Sequence, residues 1–210
     1  MTTDELIHNL TRSIKPVNRI ASTPVRLIVW FVCAVTATAM LIALVRLAAP
    51  QMLIIVEPAF YLESLSALLA CFLAAAAALY LSIPGERLLL LPILLAAAVT
   101  VWLASIAYRW GIHHAFLYMP AMAEMRCGRD IMIGGLGSAG ILVGMIKRAA
   151  PVSPIRCAML AALASSLLAV VALQFFCAMQ SPWHLLTCHV APAFVVTITG
   201  VIAGRWVLAW

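Results

Sequence analysis

Six apolar stretches decide what this chain can fold into: about residues 27–47, 61–83, 88–108, 131–146, 157–176 and 185–204. A helix needs ~20 apolar residues to cross the hydrocarbon core of a bilayer. Backbone in lipid has no water to bond, so only helices or closed barrels span it, and these stretches lack the alternation of barrel strands. The 210-residue chain is 66% hydrophobic and 10% charged, far too little polar surface for a soluble domain of that length. The predicted fold is an all-α integral membrane protein with six transmembrane helices. The fourth stretch is short and rich in glycine, and the long side chains of Arg129 and Lys147 flank it, placed to reach the two interfaces.

Basic residues set the orientation. With the N-terminus inside, the inner segments carry Arg12, Lys15, Arg19, Arg26, Arg87, Lys147, Arg148, Arg156 and Arg205, and the outer segments carry Arg46, Arg109, Arg126 and Arg129. This excess predicts that both termini are cytoplasmic. The net charge of +6 is thus spread in small groups beside apolar runs, which argues against direct nucleic-acid binding. The first apolar run follows a polar segment too long for a signal-peptide n-region, so no cleavage is expected. The chain divides into a cytoplasmic leader, residues 1–25, and a six-helix membrane domain, residues 26–210.

The predicted spans hold no Asp, Glu, Lys or Arg near their centres. Glu63 sits near the outer end of the second, and Gln174, His189 and some Ser and Thr are the other polar groups of note. Pumps and ion-coupled transporters usually need intramembrane ionisable groups, so a scaffold connecting two compartments fits better. No acid, base and nucleophile converge on one side, and no enzymatic activity is expected. "GLGSAG", residues 135–140, spells a dinucleotide fingerprint but lies inside a span, with no strand before it and no acidic residue after it. Its glycines are better read as helix-packing positions. Gly140 with Gly144, and Gly200 with Gly204, are spaced for close approach to neighbouring helices or to a second copy in a homodimer.

Of six cysteines, Cys33, Cys71 and Cys157 lie in or beside spans and are read as small apolar residues. Cys188 and His189 fall early in the sixth span, where His189 is expected to be a hydrogen-bonded packing residue. Cys127, in "EMRCGRD", and Cys177, in "FFCAMQSPWHL", both fall in outer segments. An oxidising exterior favours a bridge between them, thiolates favour soft metals, and Arg126 and Arg129 favour a reactive Cys127 thiolate. Spacing leaves open a static disulfide, a reactive or metal-binding pair, and two unrelated thiols. The outer loop before Cys127 also carries His113, His114, Met119, Met122 and Met125. These suit Cu(I)-like ions and support an alternative reading as a soft-metal binding or handling protein, against the simpler reading of methionines facing the membrane surface.

The leader begins "TTDELIHNLTRSI". Thr2 and Glu5 have capping-box spacing, and Leu6, Ile7, Leu10 and Ile14 share one helical face before Pro16 stops the helix. About a dozen residues is marginal for an isolated helix, so the apolar stripe calls for a partner. With Asp4 and Glu5 at its start and few basic residues, a protein groove fits better than the membrane surface.

Taken together, the leader "TDELIHNLTRSIKPVNRI" running into "PVRLIVWFV", then "EPAFYLES", "LSIPGER", "FFCAMQSPWHLLTCHVAPA" and the closing "GRWVLAW" resemble the NrsF family of membrane anti-sigma factors. The resemblance runs over nearly the whole chain and implies a bacterial inner-membrane protein. Its leader, through Asp4, Glu5, Leu6, Ile7, Leu10 and Ile14, would sequester an extracytoplasmic-function (ECF) sigma factor. Cys127 and Cys177 match the family's two outer cysteines. They would sense metal or oxidative stress, with no resident cofactor beyond a transient soft-metal ion at the pair.

Overall fold

The computed structural model describes residues 2–12, 19–46, 58–85, 89–113, 126–177 and 181–208. These residues are helical apart from short turns and caps. A short helix, α1 (Thr3–Arg12), precedes α2 (Thr23–Arg46), α3 (Pro58–Leu81), α4 (Leu91–His113), α5 (Arg126–Lys147) and α6 (Pro154–Gln174). A last continuous helix is built from α7 (Pro182–Leu185), a π-helical segment (Leu186–Val190) and α8 (Ala191–Val207). Among the described residues, six helices are long and apolar enough to cross a membrane, one for each predicted stretch. Six crossings bring both ends of the membrane region to one side, the near side. The ends of α2, α4 and α6, and the starts of α3, α5 and α7, then lie on the far side.

Proline opens several of these helices. Pro58, Pro154 and Pro182 sit in first turns, where a missing N–H costs nothing. The fourth span begins at Arg126, earlier than the sequence suggests. Its charged start does not break the helix because Arg129 donates to Asp130 Oδ1 from Nε and Nη2, at 3.1 and 2.9 Å, leaving Asp130 buried and Arg129 exposed.

Helix α6 forms the centre, packed against α3, α5 and α8. Its buried face includes a run of small residues: Ala158, Ala161, Ala162, Ala164, Ser165, Ser166 and Ala169. Between helices in lipid, packing rather than water exclusion drives association, and small faces allow the closest packing. At Gly200 the approach is tightest, since a Cβ there would stand 2.6 Å from Ala162 Cβ and 2.7 Å from the Ala158 carbonyl oxygen. At Gly204 it would stand 2.8 Å from Ala158 Cβ. The Gly200–Gly204 pair therefore packs within the chain. The other predicted pair does not: a Cβ on Gly140 or Gly144 would meet nothing within 4 Å. Large apolar side chains such as Ile28, Leu44, Leu65, Leu94 and Phe194 point outward, the surface expected toward lipid.

Two polar anchors fix the bundle. On the near side, buried Arg26 of α2 donates from Nη2 to the Met145 carbonyl of α5 at 2.9 Å and from Nη1 to Ser82 Oγ at 3.4 Å. Toward the far side, Arg109 of α4, assigned above to an outer segment, is instead inside the helix and buried against Glu63 of α3. Gln174 of α6 donates to Glu63 Oε2 at 2.9 Å and accepts from Ser64 at 3.3 Å. The bundle thus carries an ionic pair, sealed by hydrogen bonds, within its far third.

Candidate functional site

Three segments meet at the far end of the bundle. The first turn of α5 supplies Cys127. The residue three beyond the end of α6 is Cys177. The last helix supplies His184 from α7, and Cys188 and His189 from the π-helical segment. All five side chains are buried. The Cys127 and Cys177 sulfurs are 3.7 Å apart, against the ~2.05 Å of a disulfide bond. Cys177 Sγ is 3.1 Å from His184 Nε2, and the His184 and His189 rings lie edge to face with centroids 5.6 Å apart.

Local chemistry builds this arrangement. Ser181 caps the last helix by accepting from the His184 backbone N–H at 3.2 Å, which fixes the residue beside Cys177. In a regular α-helix, residues five apart stand ~140° apart around the axis. The wider π turn that follows reduces this separation and brings His189 toward the side of His184. Gly128 admits the π segment closely, since a Cβ there would lie 3.1 Å from Pro192 Cγ and 3.5 Å from the Cys188 carbonyl oxygen. Trp110 of α4 stacks edge-on against Trp183, next to His184, at 5.5 Å, and Phe60 of α3 against Phe175, just past the end of α6, at 5.2 Å.

Four groups here can donate to a metal ion: Cys127, Cys177, His184 and His189, whose ligand atoms all lie within 4.8 Å of one another. His184 Nδ1 and both ring nitrogens of His189 complete no hydrogen bond of ordinary geometry among the described residues. His189, expected to be a hydrogen-bonded packing residue, is buried with its ring within 4.8 Å of both sulfurs. Cys188 lies in the same buried cluster, with its sulfur 3.6 Å from Thr187 Oγ1.

The other predicted site residues are placed differently. In α1, Thr2 and Glu5 form a reciprocal cap: the Thr2 backbone N–H donates to Glu5 Oε2 at 2.8 Å and the Glu5 N–H to Thr2 Oγ1 at 3.4 Å. Asp4, Glu5, Leu6 and Ile7 are exposed there. Leu10 lies in the same helix, and Ile14 lies outside the described residues. His114, Met119, Met122 and Met125 also lie outside them, and His113 is the last residue of α4. Cys71 and Cys157 are buried in the helical core, away from the cluster.

No curated protein and no solved structure matches the chain. A family model described as "NrsF: Negative regulator of sigma F" matches residues 10–210, from within α1 to the last residue. With all six membrane-competent helices and the whole cysteine–histidine cluster inside the match, the chain belongs to the NrsF family.

Proposed function

We propose that this protein is a membrane-anchored anti-sigma factor of the bacterial inner membrane, with both termini cytoplasmic. Residues 1–25 hold an ECF sigma factor at the membrane, away from RNA polymerase, and residues 26–210 form the sensor. The observation that carries this reading is the family match over residues 10–210. Support for the leader comes from α1, a capped helix whose described side chains are all exposed, with Leu6 42% and Ile7 54% accessible. A ten-residue helix holds poorly by itself and firms when its apolar residues meet a groove. The bias of basic residues supports the orientation.

Support for the sensor comes from the contact of Cys127, in the first turn of α5, with Cys177, just beyond the end of α6. A signal shifts a two-state equilibrium only by binding or modifying one state better than the other. Metal capture by the pair, or its oxidation, alters how α5 sits against the end of α6 and so supplies that difference. The test is a sigma-dependent transcriptional reporter with Cys127→Ser and Cys177→Ser. Both substitutions should fix the output in the same state under metal or oxidant stress. A normal response from either one contradicts the pair as sensor.

A further inference from the structure

We infer that His184 and His189 complete, with Cys127 and Cys177, a tetrahedral site for one divalent zinc-like cation. The inference rests on the sensor reading for its two cysteines. It adds two ligands and the class of ion.

The geometry carries the inference. Two thiolates on a common zinc, each ~2.3 Å from it at a tetrahedral angle, stand ~3.8 Å apart. The Cys127 and Cys177 sulfurs are 3.7 Å apart, so that edge of the tetrahedron is already present. The two imidazoles bring the donors to four, with every ligand atom within 4.8 Å of the others. The burial is informative as well. His189 is 1% exposed, and among the described residues its ring nitrogens find no hydrogen bond of ordinary geometry beyond an interaction with the Cys127 sulfur. A buried polar group left in that state costs stability unless something else takes its lone pair.

The donor set chooses the ion. Two sulfurs and two nitrogens in a tetrahedron suit zinc and the chemically similar cadmium. Charge balance points the same way. Two thiolates neutralise a divalent ion, whereas a monovalent ion would leave a net negative charge in a buried site. The neighbouring carboxylate does not alter that balance, because Asp130 is already paired with Arg129. Binding is proton release and not a redox step. Each cysteine S–H gives its proton to solvent as its sulfur–metal bond forms, the histidines donate as neutral imidazoles, and no electron moves. An occupied site ties the start of α5, the end of α6 and the π segment into one unit.

The full chain, purified in detergent with its thiols kept reduced, is titrated with cobalt(II) and then with competing zinc. The expected result is one cobalt per chain, with the intense visible bands of tetrahedral coordination and a sulfur-to-cobalt charge-transfer band, both bleached by zinc. His184→Ala and His189→Ala, each repeated as Gln, should weaken zinc binding by more than the ~10–100-fold that loss of an outer-shell partner costs. Cys33→Ala and His8→Ala should leave it unchanged. Each variant's unfolding midpoint in detergent, measured without metal, shows that it is folded. Wild-type affinity in the histidine variants overturns the four-ligand site while leaving the cysteine sensor standing. A reduced wild-type chain that binds neither cobalt nor zinc overturns the metal site altogether. The sensor reading itself is tested separately by the reporter response of the cysteine variants.

Discussion

Arg109 and Glu63 face each other inside the bundle, with Arg109 Nη1 3.4 and 3.3 Å from the two carboxylate oxygens and both side chains almost wholly buried. Gln174 adds a third helix to the pair. Breaking a buried pair from one side strands the other charge and costs ~3–5 kcal/mol, while removing both charges together costs far less. Arg109→Leu should therefore lower stability by about 3 kcal/mol. The double variant Glu63→Leu/Arg109→Leu should recover part of that loss, measured by denaturant titration in mixed micelles.

The glycines separate into two groups by their surroundings. Gly200→Val must push α8 away from Ala158 and Ala162, where even a Cβ would overlap, and should cost ~1–3 kcal/mol or more as overpacking. Gly140→Ala has open space around it and should be neutral, or stabilising by up to ~1 kcal/mol through helix propensity. The same micelle unfolding assay compares the two.

Gly128 sets the distance between the start of α5 and the π segment without itself being a ligand. Gly128→Val should lower zinc affinity by ~10-fold, the scale of losing outer-shell support. The cobalt spectrum should remain tetrahedral at saturation, because all four donors are retained.

On the leader, Leu6→Asp and Leu10→Asp should each reduce sigma-factor retention. Truncating a central apolar anchor costs ~2 kcal/mol, or ~30-fold in affinity. Retention measured by pull-down from detergent extracts should fall in both variants while membrane insertion is unchanged. Normal retention in both excludes a helix-in-groove contact.

The six spans were legible because bilayer thickness imposes one length on every apolar run, and each predicted run became one helix. The cysteine pair was half legible. Topology put Cys127 and Cys177 on one side, but the charges of Arg126, Arg129 and Asp130 looked like loop, and the sequence does not reveal that Arg129 would pair with Asp130 and let the helix start early. Arg109 was misplaced for a related reason, since its partner Glu63 is 46 residues away in the chain. His184 was not singled out, and His189 was read as a packing residue, because five-residue spacing puts two side chains on different sides of an α-helix, and nothing in "LTCHV" announces a π turn. Gly140 and Gly144 have the same spacing as Gly200 and Gly204, but only contact with α6 distinguishes them.

The most direct measurement is a tagged purification from native membranes in mild detergent, with co-purifying proteins identified by mass spectrometry. The full chain is compared with one lacking residues 1–20. An ECF sigma factor held by the full chain and absent from the truncated one is the predicted result. A sigma factor held equally by both, or by neither, would contradict the leader as the element that sequesters it.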